Sequence, residues 1–280
     1  MKKTWFITGA SRGIGFEIAQ AALVSGDNVV ATARNVRRLR EQLGSEIQPQ
    51  LECIELDVNN YIQAKEAVSW SIERFASIEV LVNNAGFGQL GHFETVEQRA
   101  IEQQFSTNVF GLMHVTRAVL PAMRRQQRGH ILNLSSIGGA LGFDGAAIYC
   151  AAKFAVEGFS ESLALEVARF GIDVTIVEPG FFRTDFLDDS SVRYGQIELQ
   201  DYTDVANTQK SQYDEYSHAQ LGDPKRLAQL IVNTAGISPA PLRLVAGSDA
   251  LSMSRDILNN RMKELELWAD ITVTTDHQEE

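Results

Sequence analysis

The chain has 280 residues, of which 44% are hydrophobic and 22% charged, and its formal net charge is −11. A chain of this length can bury about 75% of its unfolded surface without disulfides, and its acidic balance makes nucleic acids and anionic membranes unexpected partners. The two cysteines, Cys53 and Cys150, show no disulfide or metal spacing, and no run of about 18 apolar residues predicts a membrane span, so we expect a cytoplasmic protein.

Strand-like and helix-like segments alternate along the first 180 residues. Strands are predicted at 4–8, 28–33, 51–56, 79–83, 130–135 and 172–179, and helices at 13–26, 60–76, 95–125 and 147–170. The strands are continuous apolar runs, which indicates burial on both faces of a sheet. Strands separated by helices indicate parallel βαβ units. The sequence therefore predicts an α/β fold, with a doubly wound (Rossmann) parallel sheet of about seven strands flanked by helices.

The regular alternation stops at residue 181. Residues 181–222 are polar, carry aromatic side chains and show weak periodicity, and insertions of this length are usually functional or disordered. We expect this segment to be a substrate-binding insertion. A helix at 223–235, a seventh strand at 242–247 and a helix near 248–267 follow, and residues 268–280 are predicted to form a C-terminal tail. The whole chain, 1–280, is assigned to a single domain.

A glycine-rich turn follows the first strand, with the sequence TGASRGIG at residues 8–15. Glycine permits a tight turn and close approach of the backbone to a ligand, and free N–H groups at a helix start bind phosphate. The spacing differs from the commoner G-x-G-x-x-G, so a plain strand–helix turn is the alternative. Its place after the first strand of a βαβ series favours cofactor binding by the residues of the turn, which are Gly9, Ser11, Arg12, Gly13, Ile14 and Gly15.

The end of the second strand bears on the choice of nicotinamide cofactor. An acidic residue there would bind the ribose 2′-hydroxyl of NAD, whereas an arginine accommodates the 2′-phosphate of NADP. Ala33 and Arg34 occupy this position, and Arg12 in the turn adds a second guanidinium. We therefore expect NADP(H), with NAD(H) as the alternative. The neighbouring Arg37, Arg38 and Arg40 are interpreted as the solvated face of a helix.

A series of motifs in one order resembles the short-chain dehydrogenase/reductase family in its compact single-domain form. After the glycine turn come Asp57 and Val58, Asn83-Asn84-Ala85-Gly86, Asn108, Ser136, Tyr149-x-x-x-Lys153, and Pro179-Gly180 with Thr184. The resemblance covers about residues 4–185. It implies that Asp57 contacts the adenine of the cofactor and that the segment from Pro179 to Thr184 holds the nicotinamide carboxamide. Val58, Asn84, Ala85 and Gly86 are assigned to the same cofactor site.

Tyr149 and Lys153 are the predicted centre of catalysis. Residues four apart share a helix face, and a nearby ammonium group favours the phenolate and so lowers the pKa of a tyrosine. Tyr149 can then act as acid in reduction and as base in oxidation, while the Ser136 hydroxyl bonds the substrate oxygen. The resemblance implies that Lys153 also binds the nicotinamide ribose and that Asn108 orders a water that relays protons. Ser135 and Ser136 point to opposite faces at the end of a strand, and the family resemblance, through its usual spacing of 13 residues before the tyrosine, selects Ser136.

The substrate is expected to be a moderately bulky, apolar ketone, aldehyde or secondary alcohol. The expected walls carry six phenylalanines, although ordinary core packing is the alternative for several of them: Phe87, Phe93, Phe143, Phe181, Phe182 and Phe186. The C-terminal extension resembles the hydroxysteroid and retinol dehydrogenase-like branch of the family. We expect a homodimer, formed partly through the helices 95–125 and 147–170, and no metal site, because the histidines lack metal spacing.

Two other classes of function stay open. One is a non-catalytic protein that senses NADP(H) on the same fold, although such proteins usually lose the tyrosine or the lysine. The other is an epimerase or dehydratase, a branch that usually has a different glycine spacing and a longer C-terminal domain. The presence of Asn108, Ser136, Tyr149 and Lys153 together favours the oxidoreductase.

Overall fold

A seven-stranded parallel sheet forms the centre of the fold. The structure is a computed structural model, and it describes residues 2–44, 49–188 and 191–277. The strands of the sheet are β1 (Thr4–Ile7), β2 (Asn28–Ala33), β3 (Leu51–Glu55), β4 (Val80–Asn83), β6 (Gly129–Leu134), β7 (Ile172–Pro179) and β9 (Arg243–Ala246). Their order is β3-β2-β1-β4-β6-β7-β9 and every neighbouring pair is parallel. The chain order reverses between β1 and β4, and in such sheets the crevice at this point binds ligands.

Helices cover both faces of the sheet. They are α1 (Gly13–Val24), α2 (Val36–Leu43), α3 (Tyr61–Phe75), α4 (Gln98–Phe105), α5 (Leu112–Gln126), α6 (Ala147–Val167), α7 (Thr203–Tyr216), α8 (Pro224–Thr234) and α9 (Ser248–Thr272). Trp5 belongs to the core cluster on one face and its neighbour Phe6 to the cluster on the other, and both are fully buried. Successive residues of a strand point to opposite faces, so the continuous apolar runs are explained and the predicted doubly wound α/β fold is confirmed.

The long helix predicted over 95–125 is interrupted in the structure. Between α4 and α5 the six residues Ser106–Gly111 form a π-helical segment. Gly111 lies where a Cβ atom would come within 2.6 Å of Val58 Cγ2, so only glycine allows this approach to the loop after β3. The periodicity of apolar residues could not show the interruption, because apolar residues continue on both sides of it.

The segment 181–222 and the C-terminus hold more helix than the sequence predicted. Within the segment, α7 forms although none of its residues is buried, and the two-residue strand β8 (Val192–Arg193) pairs with β5 (Gly88–Gln89). Helix α9 continues to Thr272, so the predicted tail boundary at 268 is five residues too early, and 278–280 lie outside the described residues. Helix α7 was not predicted because none of its residues is buried, so its sequence carries no apolar face.

Candidate active site

A cavity of about 500 Å³ lies at the carboxyl edge of the sheet, where the loops after β1, β4, β6 and β7 meet. All four predicted catalytic residues line it: Asn108, Ser136, Tyr149 and Lys153. Most of the predicted cofactor residues line it as well: Gly9, Ser11, Arg12, Gly13, Ile14, Arg34, Asp57, Val58, Asn84, Ala85, Gly86, Pro179, Gly180 and Thr184. Gly15 does not line the cavity; it packs behind the turn, where a Cβ atom would come within 2.6 Å of Gly9 O.

The glycine turn is fixed by the segment that follows β4. The Asn84 side-chain amide donates to the carbonyl oxygens of Thr8 and Gly9, at 3.0 Å each. The Thr8 hydroxyl accepts from the backbone N–H groups of Asn84 and Ala85, also at 3.0 Å. Gly9 has φ +65°, and a Cβ atom there would lie 2.8 Å from Ala85 Cα. The backbone of the turn is therefore held close to the cavity in a form that an L side chain would disturb.

The far end of the cavity, beside β2 and β3, is where the sequence placed the adenosine part of the cofactor. Ala33 and Arg34 line this end, and the Arg34 side chain is exposed. Asp57 also lines it, and its Oδ1 accepts from the backbone N–H and the side-chain amide of Asn59, at 3.0 and 2.9 Å. No carboxylate follows β2 directly. The charged group at this position is the guanidinium of Arg34, whose positive charge suits a phosphate monoester.

Tyr149, Ser136 and Lys153 are adjacent in the structure. The Ser136 and Tyr149 side chains are neighbours, because a Cβ atom at Gly138 would lie 3.3 Å from Tyr149 Cε1 and 3.5 Å from Ser136 Oγ. Lys153 lies one turn further along α6, with its Nζ 5.8 Å from the centre of the Tyr149 ring, and it donates to Leu134 O at 2.7 Å. Burial raises the pKa of Tyr149 to about 12, against the opposing effect of the neighbouring Ser136 hydroxyl. Burial lowers the pKa of Lys153 to about 8, against the opposing charge of Glu157. Tyr149 is therefore protonated at neutral pH, and the sequence-based expectation of a lowered tyrosine pKa is not met in this environment.

The π-helical segment presents Asn108 to the cavity wall. Asn108 Nδ2 donates to Phe87 O at 2.9 Å, and Phe87 N donates to Asn108 Oδ1 at 3.2 Å. Both ends of the amide thus bind the backbone that follows Asn83-Asn84-Ala85-Gly86. An amide oxygen has two lone pairs and an amide nitrogen two protons, so each retains one position for a further partner such as water.

A buried carboxylate behind Lys153 was missed by the sequence analysis. Glu157 is 7% exposed and lies one helical turn after Lys153 on α6. Burial raises the pKa of its carboxyl to about 7, while the nearby Ser135 hydroxyl and Arg243 act in the opposite direction. Arg243 contacts Glu157 at 3.4 Å and Glu161 at 2.5 Å. The i, i+4 spacing from Lys153 was a visible signal that the two side chains share a helix face. Ser135 lies on the Glu157 side, because a Cβ atom at Gly139 would meet both of these side chains.

The substrate end of the cavity is aromatic, as the sequence indicated, with one exception. Five of the six predicted phenylalanines line it: Phe87, Phe143, Phe181, Phe182 and Phe186. Phe93 does not; it is 61% exposed, because the short 3₁₀ turn that carries it lies on the surface. The rings of Tyr149 and Phe186 have centroids 5.7 Å apart. Tyr213 of α7 also lines the cavity, so the unpredicted helix contributes to the wall.

One group of possible metal ligands lies near the end of α7. In the described part of the chain, Asp185, Asp188 and His218 bring one ligand atom each within 4.8 Å of one another. His218 Nε2 is 3.0 Å from Asp188 Oδ1, and Asp188 also accepts from the Ser217 hydroxyl. Such sets are common at protein surfaces without a metal. The sequence analysis did not identify this one, because Asp185 and Asp188 are about 30 residues away from His218 along the chain.

The chain is similar to known proteins of one family. The model of the short chain dehydrogenases matches residues 3–194. Oxidoreductase BOA17 of Botryotinia fuckeliana (strain B05.10) is 35% identical over 275 residues, which cover 98% of this chain and 100% of that one. The 3-ketodihydrosphingosine reductase of Bacteroides thetaiotaomicron (strain ATCC 29148) is 40% identical over 198 residues, or 71% of each chain.

Solved structures show the same relationship. A short-chain dehydrogenase from Streptomyces avermitilis has a TM-score of 0.89 and 36% identity, with 99% of each chain covered. ElxO with NADP bound has a TM-score of 0.74 and 26% identity, covering 90% of this chain and 100% of that one. Among the described residues, no helix has both the length and the apolar character that crossing a membrane requires.

Proposed function

This chain belongs to the short chain dehydrogenase family, and we propose that it is an NADP(H)-dependent oxidoreductase that interconverts a ketone or aldehyde and its alcohol. The observation that carries the proposal is that Tyr149 lies beside Ser136 and within 5.8 Å of Lys153 Nζ, measured from the ring centre, at the wall of the cavity that the glycine turn also lines. A cofactor held at the turn and a substrate held at the phenylalanines would meet beside the Tyr149 hydroxyl.

The residues present fit a dinucleotide. Gly9 and Gly13 have positive φ angles and bring backbone, not side chain, to the cavity at the start of α1, where phosphate groups bind. Asp57 and Val58 would hold the adenine side, and Pro179, Gly180 and Thr184 the nicotinamide side. Arg12 and Arg34 would pair with a 2′-phosphate. The match to ElxO with NADP bound supports the preference for NADP(H) over NAD(H).

The proposed chemistry rests on proton control by this chain. When bound, the cofactor supplies the hydride for reduction or accepts it in oxidation. In reduction, Ser136 donates a hydrogen bond to the substrate oxygen, and Tyr149 transfers its phenolic proton to that oxygen as negative charge develops there. Lys153 stabilises the phenolate that remains. In oxidation the same proton returns to Tyr149 from the alcohol.

Substrate and assembly extend the proposal. The aromatic wall favours a moderately bulky apolar carbonyl compound, and the similarity to a protein named as a reductase of 3-ketodihydrosphingosine supports a ketone. A homodimer through α4, α5, the π-helical segment between them and α6 would cover three exposed apolar side chains: Phe110 at 53%, Phe154 at 41% and Leu165 at 81%. We place the protein in the cytoplasm.

The deciding experiment compares wild type with Tyr149→Phe, with Tyr61→Phe as the matched control on α3. NADPH and NADH binding is followed by nicotinamide fluorescence, and turnover is measured over a panel of apolar and polar carbonyls. We expect Tyr149→Phe to bind NADPH normally and to lose activity by about 10²–10⁴-fold. Retained turnover would contradict the role of Tyr149, and turnover of small polar carbonyls alone would contradict the proposed substrate class. Cofactor binding without any turnover by wild type would favour the sensor.

A further inference from the structure

The Phe186 ring packs against the ring of Tyr149. The centroids of the two rings are 5.7 Å apart and the ring planes are inclined by 56°, which is the spacing of an aromatic pair in contact. Rings at this distance leave no room for a substrate between them. A substrate that lies in the cavity must therefore pass the edge of Phe186 to reach the Tyr149 hydroxyl.

A second group lies against the Tyr149 ring. A Cβ atom at Gly138 would lie 3.3 Å from Tyr149 Cε1, the ring atom next to the carbon that carries the hydroxyl. The backbone of the turn after Ser136 is thus close to the tyrosine ring. The approach to the hydroxyl is bounded by this turn as well as by Phe186, so the space for groups on either side of a bound carbonyl is limited.

The Phe186 ring rests on Gly88. A Cβ atom at Gly88 would lie 3.1 Å from Phe186 Cζ and 3.4 Å from its Cε1, so any other residue would press on the ring. Gly88 is not among the glycines with positive φ, and its backbone conformation is open to other residues. Space for the ring, rather than backbone conformation, is therefore what glycine provides at this position.

The backbone also joins Phe186 to Gly88. The Thr184 hydroxyl accepts from Phe186 N at 3.3 Å, at the start of the 3₁₀ turn Asp185–Leu187. Further along the segment, Val192 of β8 pairs with Gly88 of β5. The ring and the glycine beneath it thus belong to segments that are tied together, and a packed side chain held in this way yields little to a ligand.

The remaining aromatic wall lies apart from this contact. The rings of Phe143 and Phe181 have centroids 6.2 Å apart, and Phe181 is 5.4 Å from Tyr216. Among the aromatic pairs of the described residues, Tyr149 is paired with Phe186 alone. The cavity therefore combines a restricted approach at Tyr149 with a separate aromatic surface at Phe143 and Phe181.

We propose that Phe186, resting on Gly88, makes the cavity select carbonyl compounds that have no quaternary carbon next to the carbonyl group. A quaternary carbon there would meet the edge of Phe186 as the carbonyl oxygen approached Tyr149, whereas a slimmer group would pass. The apolar bulk of the substrate lies further out, against Phe143 and Phe181. This inference rests on the proposed carbonyl chemistry at Tyr149 and adds the residue that determines which compounds reach it.

The test compares two isomeric ketones: a straight-chain methyl ketone, and its isomer with a quaternary carbon next to the carbonyl. Calorimetry measures their affinities for the protein saturated with NADP⁺, because a ketone cannot be reduced in that complex. We expect wild type to bind the straight-chain ketone at least about tenfold more tightly. Phe186→Ala should lose most of this preference and Phe186→Leu part of it. The control Phe93→Ala should keep it, since Phe93 is 61% exposed and does not line the cavity.

Three outcomes overturn the inference: wild type binds both ketones equally, it binds neither, or folded Phe186→Ala and Phe186→Leu keep the full preference. Circular dichroism and melting identify the folded variants. Reduction of the ketones with NADPH is measured separately. A wild type that shows the preference but reduces neither ketone supports the role of Phe186 and contradicts the proposed function. Reduction of both ketones with equal affinities does the reverse.

Gly88→Ala tests the contact beneath the ring. In the wild-type background the new Cβ displaces Phe186, so the ratio of the two affinities should change by about twofold or more. In the Phe186→Ala background the ring is absent, and Gly88→Ala should leave the ratio unchanged. The same result in both backgrounds, whether a change or none, would show that Gly88 does not act through Phe186.

Discussion

The free energy of unfolding should depend on pH through Glu157, and Glu157→Gln isolates this dependence. Burial raises the pKa of the Glu157 carboxyl from 4.5 to about 7 in the folded protein. A folded-state pKa above the unfolded one means that the folded protein holds the proton more tightly. The stability that the protonated carboxyl contributes is therefore complete below about pH 4.5 and is lost as pH rises through 7.

The expected magnitude follows from the two pKa values. The difference between 4.5 and about 7, at 1.36 kcal/mol for each unit, gives about 3 kcal/mol in full. About 2 kcal/mol of this is lost between pH 5.5 and 8, a range that avoids precipitation near the isoelectric point of about 5.0. Glutamine is neutral at every pH. The free energy of unfolding of Glu157→Gln should therefore rise relative to that of wild type by this amount as the pH increases from 5.5 to 8.

The assay is urea unfolding at several pH values between 5.5 and 8, for wild type, Glu157→Gln and Glu161→Gln. Glu161 is the matched control, because it lies on the same helix and contacts the same Arg243 but has a side chain that is 48% exposed. Its substitution should shift stability by a similar amount at every pH. If the curves of wild type and Glu157→Gln stay parallel, Arg243 keeps Glu157 ionised in the folded protein and the reasoning from burial is refuted.

Two further predictions concern the cofactor site. Gly9→Ala should lower the free energy of unfolding by about 1–3 kcal/mol and weaken NADPH binding, because the new Cβ would lie 2.8 Å from Ala85 Cα at a φ of +65°. Thermal melting and fluorescence titration with NADPH would check this. The control is Gly142→Ala, which has nothing within 4 Å of the new Cβ and should change neither stability nor NADPH binding. Arg34→Ala should weaken NADPH binding about 10–100-fold, the loss expected for hydrogen bonds to a charged group, and leave NADH nearly unchanged; equal losses for both cofactors would count against a 2′-phosphate contact.

The sequence predicted the elements whose residues are buried. The strands of the central sheet and helices such as α3 and α6 carry apolar patterns, because each must face the core on at least one side. Helix α7 has no buried residue, and so it left no pattern to detect. The end of α9 was missed because its apolar residues face outward.

The sequence predicted those residues of the candidate site whose side-chain type is itself specific to the proposed chemistry. Tyr149, Lys153, Gly9 and Gly13 were predicted because few other residue types suit the proposed chemistry, and the structure brings these four to one cavity. Phe93 was misplaced, because an aromatic residue in a loop gives no information about which way the loop turns. Glu157 was overlooked because a glutamate on a helix is ordinarily solvated, and its partner Arg243 lies far away in the sequence.

The π-helical segment before α5 lets one stretch of helix satisfy two angular requirements. Upstream, α4 directs Gln104 to the backbone of Gln89, at 2.7 Å; downstream, α5 buries Val115 and Val119 against the sheet. Removing one residue between Ser106 and Gly111 would restore an ordinary helix and rotate α4 by about 100° relative to α5. The cavity wall would then change while the core kept its contacts. Insertions and deletions of single residues are therefore a route by which this fold can alter its pocket without repacking its interior.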